Sequence, residues 1–396
     1  MDHQDLICID MGGTSFDVSL IRDGEVELKS EFDLQGLPIL APSVELVSIA
    51  LGGGSIIQEL SGGLRVGPES AGSVPGPACY GNGGKVATIT DANAVLGRLP
   101  PEQRLAGTLQ LDLKAANRAL SSVGKLLNLD VASAAEQALE VAHFMMAEAI
   151  RELTVERGLD PRDFTICAFG GAGPLHAAFV ADELNIDRII IPSGAGSFSA
   201  WGMLQGDLRH DMSVTYYRQF NDAQSDLSIV LESLRERVLE RVREDTDDLS
   251  LLRYEASGEM RYVGQEYSLL VPIMNDRADD ELLASFHDAY FQRYGHAQRS
   301  APVEFVSLRI AGIVSFANTD EYISELPTKP AASIASTQAT IGGETSAVPI
   351  YSRDSISAKI SGPSIIVEDS TTILLPKSWT VMPIGNAHLL MERSEQ

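Results

Sequence analysis

The sequence lacks any apolar run approaching the roughly 18 residues needed to span a bilayer. Its opening residues, Met1-Asp2-His3-Gln4-Asp5, lack the basic stretch of a secretory signal. A cytoplasmic protein is the expectation. Positive charge is scarce as well: 30 Lys and Arg against 55 Asp and Glu give a formal net charge of −25. That balance argues against nucleic acid and against an anionic membrane as partners, since both require basic surface. Cysteine is rarer still. Cys8, Cys79 and Cys167 form no CxxC pair. Cys8 and Cys167 lie inside apolar, strand-like runs and read as inert core residues, whereas Cys79 sits in a Gly/Pro loop where a thiol could be exposed. No internal repeat is visible. What remains is 396 residues of 44% hydrophobic content, enough for two or three domains with substantial cores.

The chain is organised around Leu6 to Leu20. An apolar β-type run delivers a carboxylate, Asp10, to a strand end, turns on Gly12-Gly13 and leaves as a second alternating run from Ser15 to Ile21. Asp23-Gly24 is a two-residue hairpin signal, so a third run, Glu25 to Phe32, is expected to fold back on the second. Paired glycines let backbone N–H groups approach an anion. Thr14 and Ser15 add hydroxyls, and Asp10 with Asp17 is placed to hold a hydrated Mg²⁺ beside that anion. The stretch from Asp10 to Asp17 resembles the phosphate loop of the actin, Hsp70 and sugar-kinase ATPases. The alternative is a tight hairpin with a solvated Asp.

Further along, Gly52-Gly53-Gly54-Ser55 follows an apolar run and describes either a backbone nest for an anion or a flexible turn. Leu64 to Gly81, dense in Pro and Gly, predicts an ordered irregular loop rather than a helix or strand. Asp91 reads either as a helix N-cap or as a polar group at a strand end facing a cleft. Helices are expected over Leu113–Ser122 and Ser133–Arg157, with His143 more simply a core or surface residue than a ligand. Phe164 to Phe169 then reads as a buried strand entering the turn Gly170-Gly171-Ala172-Gly173, and Pro174 falls at a helix start. Strand, glycine turn and helix N-terminus together suit a nucleotide. His176, in the first turn of that helix, is either a ligand-contacting or catalytic residue or a surface histidine. Arg188 to Pro192 forms another buried strand, and a small-residue loop from Pro192 to Gly202 follows. Beyond it, a helix is expected over Leu227–Glu244, two strands within Tyr254–Ile273, a helix over Asp279–Tyr294 and a strand over Val303–Phe316. Leu326 to Val348 is the best linker candidate, and Pro349 to Met391 reads as short strands.

Several of these stretches, in this order, resemble the hydantoinase A/5-oxoprolinase family, which includes the ATP-binding subunits of acetone and acetophenone carboxylases. They are Asp10-Met11-Gly12-Gly13-Thr14-Ser15, Gly52 to Ile56, Val66 to Gly72, Pro75 to Gly81, Thr90-Asp91-Ala92-Asn93 and Phe169 to His176. Arg261 to Tyr267, Arg293 to His296, and Gly362-Pro363 with Ser370-Thr371-Thr372 complete the set. The resemblance implies ATP-dependent activation of an amide or carbonyl oxygen by phosphorylation, with ATP and Mg²⁺ as cofactors. On that reading Asp10 holds the metal, and Gly12, Gly13, Thr14 and Ser15, with Asp17, Gly53 and Gly54 nearby, cradle the phosphates. Gly170, Gly171, Ala172 and Gly173 border the adenosine, and Asp10, Asp91 and His176 are the catalytic candidates. It also implies a partner of the hydantoinase B type and a small cyclic amide as substrate. The stretch at Asp10 is similar to the family's second phosphate loop. The expectation is therefore that another A-type polypeptide supplies the preceding half, or that the chain is a truncated relative. Glu45, Val47 and Ser48 depart from the family's pattern before the triple glycine.

These readings predict an α/β protein: an actin-like, ribonuclease-H-type ATPase half over residues 1–211, a mixed α/β region over 212–328 and a small β-rich region over 329–396. The leading function is that of the hydantoinase A-type component, or part of it, in an ATP-dependent cyclic amide hydrolase. The rivals are the nucleotide-binding component of a ketone carboxylase and a non-catalytic assembly protein.

Overall fold

Alternation of apolar and polar residues over Leu6–Met11 (β1) and Phe16–Arg22 (β2) buries Ile7, Ile9, Met11, Phe16, Val18 and Leu20 on one face. Leu6, Cys8, Asp10, Asp17 and Ser19 are left on the other. In the computed structural model these two strands pair antiparallel, with Asp10 directly opposite Asp17. Asp23 and Gly24 take φ of 51° and 80°, the turn their sequence demands, and Glu25–Val26 folds back on β2 as expected. That return strand is only two residues long. Leu46–Ile49 (β3) occupies the rest of this edge of β2. The structure describes residues 4–29, 32–34, 37–39, 43–100, 109–223, 225–315, 331–385 and 387–394.

Two units are formed, Met1–Trp201 with Tyr322–Gln396 and, separately, Gly202–Glu321. In the first, the helices Ile89–Val95 (α1), Leu113–Leu127 (α2) and Val131–Leu153 (α3) precede Thr165–Phe169 (β4). Strand β4 lies parallel to β1, then Gly173–Leu184 (α4) leads into Arg188–Ile191 (β5), parallel to β4. The spatial order 3-2-1-4-5, with β2 antiparallel, is the ribonuclease-H-type arrangement. The Ala-rich face of α3 supplies Ala135, Ala138, Ala142, Met146 and Ile150 to the core under this sheet. Small side chains let the helix lie close to the strands.

The second unit has a core of its own. Leu208–Gln219 (β6), Leu252–Tyr262 (β7), Leu269–Ile273 (β8) and Val303–Val314 (β9) form an antiparallel sheet in the order 6-9-7-8. Leu227–Asp245 (α5) and Asp280–Tyr294 (α6) cover it through Leu231, Leu234, Val238 and Phe286.

Two expectations are corrected here. Residues Gly63–Ser70 are a strand, not part of an irregular loop: the chain accommodates Gly67-Pro68 at a register shift between Val66 and Ser70. The linker candidate is also structured where it is described. Ala335–Ile341 (β10) and Glu344–Ser352 (β11) make a hairpin about Gly342-Gly343, whose positive φ values supply a two-residue turn. Residues 326–330 lie outside the described residues.

The C-terminal region is β-rich, as expected, yet it belongs to the first unit. Strand β11 runs parallel to Ser364–Glu368 (β12), which pairs with Thr371–Leu375 (β13). Trp379–Ile384 (β14) and His388–Arg393 (β15) then form a hairpin whose second strand extends the main sheet beside β5. Trp379 is fully buried there, and its indole N–H donates to Asp182 at 3.2 Å. Trp379→Ala is expected to destabilise the first unit by about 3–5 kcal/mol. Urea unfolding monitored by amide exchange in β4 and β5 checks this, with protection lost in those strands as well as in β14.

Candidate functional site

Parallel strands β1, β4 and β5 end at one edge of the sheet, so the turns that follow them gather there. Open α/β sheets bind ligands at such an edge. After β1 comes Gly12-Gly13, after β4 Gly170 to Ala172, and after β5 the small-residue loop from Ser193 to Ser197. The Ala172 N–H donates to the Met11 carbonyl at 2.9 Å, and the Gly170 N–H to the Ala195 carbonyl at 2.9 Å. Gly170 has φ of +82°, and a Cβ there would lie 2.3 Å from Asp10 Oδ1 and 2.5 Å from the Met11 carbonyl oxygen. Only glycine fits on both counts.

Asp10 and Asp17 face each other on the half-buried side of β1 and β2. Ser199 donates its hydroxyl to Asp10, and Ser15 donates to Asp17 Oδ2 at 2.9 Å. Among the described residues neither carboxylate has a Lys or Arg partner. Like charges directly across a sheet repel, so this pair suits a cation. No group of three or more His, Cys, Asp or Glu that could hold a metal occurs among the described residues. Two carboxylates are nonetheless what Mg²⁺ commonly takes from protein when phosphates and water complete its shell.

Gly12 and Gly13 differ from their neighbours. Both are exposed, a Cβ at either would meet nothing within 4 Å, and neither has positive φ. The fold itself does not require glycine at these two positions, and the bare backbone there stays open to close approach.

The second glycine cluster has another role than the one expected. Gly52, Gly53 and Gly54 are buried, and the N–H groups of Gly53 and Gly54 donate to the carbonyls of Gly12 and Gly13 at 3.0 and 2.7 Å. Gly53 in turn accepts at its carbonyl from the Thr90 hydroxyl at 2.7 Å. The amides of Gly53 and Gly54 are thus spent on bracing the first turn from behind rather than on cradling phosphate.

Asp91 is likewise moved from the catalytic candidates to the framework. Thr88 is the N-cap of α1, and Asp91 is its partner in a capping box. Its carboxylate is fully buried and accepts from the N–H groups of Ala78, Cys79 and Thr88 at 3.1, 2.7 and 3.0 Å and from the Thr88 hydroxyl at 2.8 Å. Four donors leave it nothing to offer a substrate. Cys79 is buried beside it, and burial, reinforced by the Asp91 charge, pushes the thiol well above its usual range.

His176 is also internal, 1% exposed. Asn93 donates its amide nitrogen to the Ile89 carbonyl at 3.1 Å and lies 3.4 Å from His176 Nε2, which makes Nε2 the acceptor. The His176 proton therefore sits on Nδ1, facing His143 Nε2 at 3.0 Å. Burial, with Arg98 nearby, lowers His176 to about 3, and burial holds His143 well below its usual value. Both ring nitrogens of His176 are taken and the ring stays neutral, so it does not serve as a base for a bound substrate. It joins α1, which carries Thr90 and braces the first turn, to α4, which opens with the Gly170 turn.

Sequence reasoning gave no role to Ser199, nor to the loop between β12 and β13, although Ser370-Thr371-Thr372 stands among the residues of the resemblance. The Thr371 hydroxyl donates to the Gly170 and Gly171 carbonyls, each at 3.2 Å, and Glu368 accepts from the Gly194 N–H at 2.9 Å. A Cβ at Gly196 would lie 2.2 Å from the Ser370 hydroxyl oxygen. The glycines of the loop from Ser193 to Gly202 were the available signal that another segment packs closely on it.

With this geometry in place the chain can be compared with known proteins. The model of the hydantoinase/oxoprolinase family matches residues 1–212, and that of the hydantoinase/oxoprolinase C-terminal domain matches residues 216–392. The chain belongs to the hydantoinase/oxoprolinase family. It is 33% identical to the caprolactamase alpha subunit of Pseudomonas jessenii over 394 residues, covering 95% of this chain and 56% of that protein. It is 27% identical to the acetone carboxylase beta subunit of Xanthobacter autotrophicus over 403 residues, covering 95% of this chain and 56% of that one. A nucleotide-free acetone carboxylase structure superimposes with a TM-score of 0.87 at 24% identity, over 99% of this chain and 58% of its own. The crystal structure of the ATP-dependent caprolactamase from P. jessenii does so at 0.76 and 31% identity, over 100% and 59%. This family member thus spans a little over half the length of those relatives. Its first unit has the actin-like ATPase fold expected from the sequence. No helix among the described residues is long and apolar enough to cross a membrane.

Two measurements follow for this family member. Asp91→Ala strands three buried N–H groups and is expected to cost about 3 kcal/mol or more in urea unfolding. Because the folded state keeps His176 neutral down to about 3 whereas the unfolded imidazole titrates near 6.5, the unfolded chain takes up the proton first as pH falls. Stability is full above about 6.5 and declines below it, and His176→Gln should show a shallower decline in the urea midpoint.

Proposed function

We propose that the edge formed by Asp10, Asp17, Gly12, Gly13 and Gly170 binds ATP with Mg²⁺. The chain would then be the hydantoinase A-type component, or a segment of it, in an ATP-dependent cyclic amide hydrolase of the hydantoinase/oxoprolinase type, acting with a B-type partner. The observation that carries this reading is the facing carboxylate pair without a basic partner, set beside an open glycine turn. The family membership and the caprolactamase likeness support it.

The residues fit the group. Asp10 and Asp17 would hold the cation, and the hydroxyls of Ser199 and Ser15 fix the orientation of the two carboxylates by donating to them. The backbone at Gly12, Gly13 and Thr14 would receive phosphate oxygens, which a net charge of −25 could not otherwise tolerate without local donors. Gly170, Gly171 and Ala172 would border the nucleoside, with Thr371 holding that turn in place. Bound ATP would supply the phosphoryl group that turns an amide oxygen into a leaving group. What the chain contributes is positioning and neutralisation of charge, the main needs of phosphoryl transfer. Higher identity to caprolactamase than to acetone carboxylase favours an amide over a ketone as substrate. The B-type partner, any further A-type polypeptide and the cytoplasmic location remain part of this proposal.

Titration calorimetry with ATP and Mg²⁺ tests it. Binding is expected for the native chain, and Asp10→Asn should weaken it by about tenfold or more (~1.4 kcal/mol) without loss of fold. Phosphate release on adding lactams to the chain co-expressed with a B-type partner then tests the hydrolase. Absence of nucleotide binding would favour a non-catalytic assembly role, and turnover of ketones alone would favour a carboxylase.

A further inference from the structure

Cys8 of β1 and Cys167 of β4 stand opposite each other in the parallel register. Both thiols therefore leave the sheet on the face that carries Asp10 and Phe169, which are the next pair along that face. Adjacent strands run about 4.8 Å apart, inside the roughly 4.4–6.8 Å between Cα atoms that a disulfide can bridge. Cys8 is partly exposed, whereas Cys167 is 7% exposed. Cys8, the more exposed of the two thiols, is the one an oxidant in solution reaches first. Cys79, fully buried beside Asp91, is the inert third thiol.

We propose that Cys8 and Cys167 are a peroxide-responsive dithiol whose cross-strand disulfide forms next to Asp10 and weakens nucleotide binding there. The sulfur of Cys8 attacks one oxygen of hydrogen peroxide, the O–O bond breaks, and the departing hydroxide leaves as water with the thiol proton. Cys8 is then a sulfenic acid. The sulfur of Cys167 attacks that sulfur, the S–O bond breaks, and a second water leaves with the Cys167 proton. Two thiols lose two electrons and one peroxide becomes two waters. The new bond resets the spacing of β1 and β4, toward the roughly 5.5–6 Å between Cα atoms that a disulfide prefers, immediately before Asp10 and Phe169 on the same face. Asp10 then shifts against Gly170, where there is no slack for it. The effect on nucleotide rests on the proposed ATP site; the thiol chemistry does not.

Intact mass and peptide mapping after peroxide treatment test the pair. The expected result is loss of two hydrogens and a Cys8–Cys167 peptide cross-link. Cys79→Ser should retain both, either Cys8→Ser or Cys167→Ser should abolish them, and a thiol reductant should reverse them. Added oxygen at Cys8 without a cross-link, or a cross-link involving Cys79, overturns the proposal. Calorimetry on the oxidised chain should then show ATP bound about tenfold more weakly, as small displacements at such sites permit, with recovery on reduction. Unchanged affinity with the cross-link present overturns the coupling. A reduced chain that binds no nucleotide overturns the functional reading and the coupling with it, while the mass result still decides the thiol pair.

Discussion

The approach of Gly170 to Asp10 is the constraint on which the rest depends. Two adjacent parallel strands can end together only if the turn after one clears the side chains at the end of the other. Here that clearance is no larger than a glycine hydrogen. The register of β1 against β4 fixes the approach from below, the Ala172 N–H on the Met11 carbonyl fixes it from within, and Thr371 fixes it from outside. Carboxylates in register on β1 and β2 complete the edge. Among the described residues only hydroxyl donors offset the repulsion between them, an arrangement that suits a cation.

Much of the arrangement was legible because its signals are local. Asp23-Gly24, the alternation around Asp10 and the run from Phe164 through the glycine turn to Pro174 each specify backbone geometry within a few residues. The roles of Asp91, His176 and the triple glycine were not legible. Each was left between a ligand-facing reading and a simpler one (an N-cap for Asp91, a surface histidine for His176, a flexible turn for the glycines), since carboxylates, imidazoles and glycine nests are groups that function often uses. A buried carboxylate with four donors looks the same in one dimension as a catalytic one. What distinguishes them is the partner, and Ala78 and Cys79 for Asp91, or His143 for His176, lie 12 to 33 residues away. Ser199 and Thr371 escaped for the same reason at greater range.

These reassignments make the site simpler. The side chains at the open sheet edge include Asp10, Asp17, Ser15, Ser199 and the exposed Thr14. Behind them a second layer of buried polar groups, from Thr90 through Asn93 and His176 to His143, links α1, which braces the first glycine turn through Gly53, to α4, which follows the second. Its neutrality matters. A charged imidazole between α1 and α4 would have no carboxylate to meet there, and would stand near the buried Arg98. The layer transmits position without carrying charge of its own.

The route of the chain through the main sheet has a consequence for biosynthesis. Gly202–Glu321 is contiguous and carries its own core, whereas the surrounding unit is closed by pairs such as Ile189 with Met391, about two hundred residues apart. Emerging from the ribosome, the inserted unit has all its contacts before the enclosing one does. Strand β5 must wait with an open edge until residues 379–393 have been made, and long-range pairings of this kind form slowly. Assembly of the sheet edge around Asp10, which needs Thr371 behind Gly170, is for the same reason among the last events in the maturation of the polypeptide.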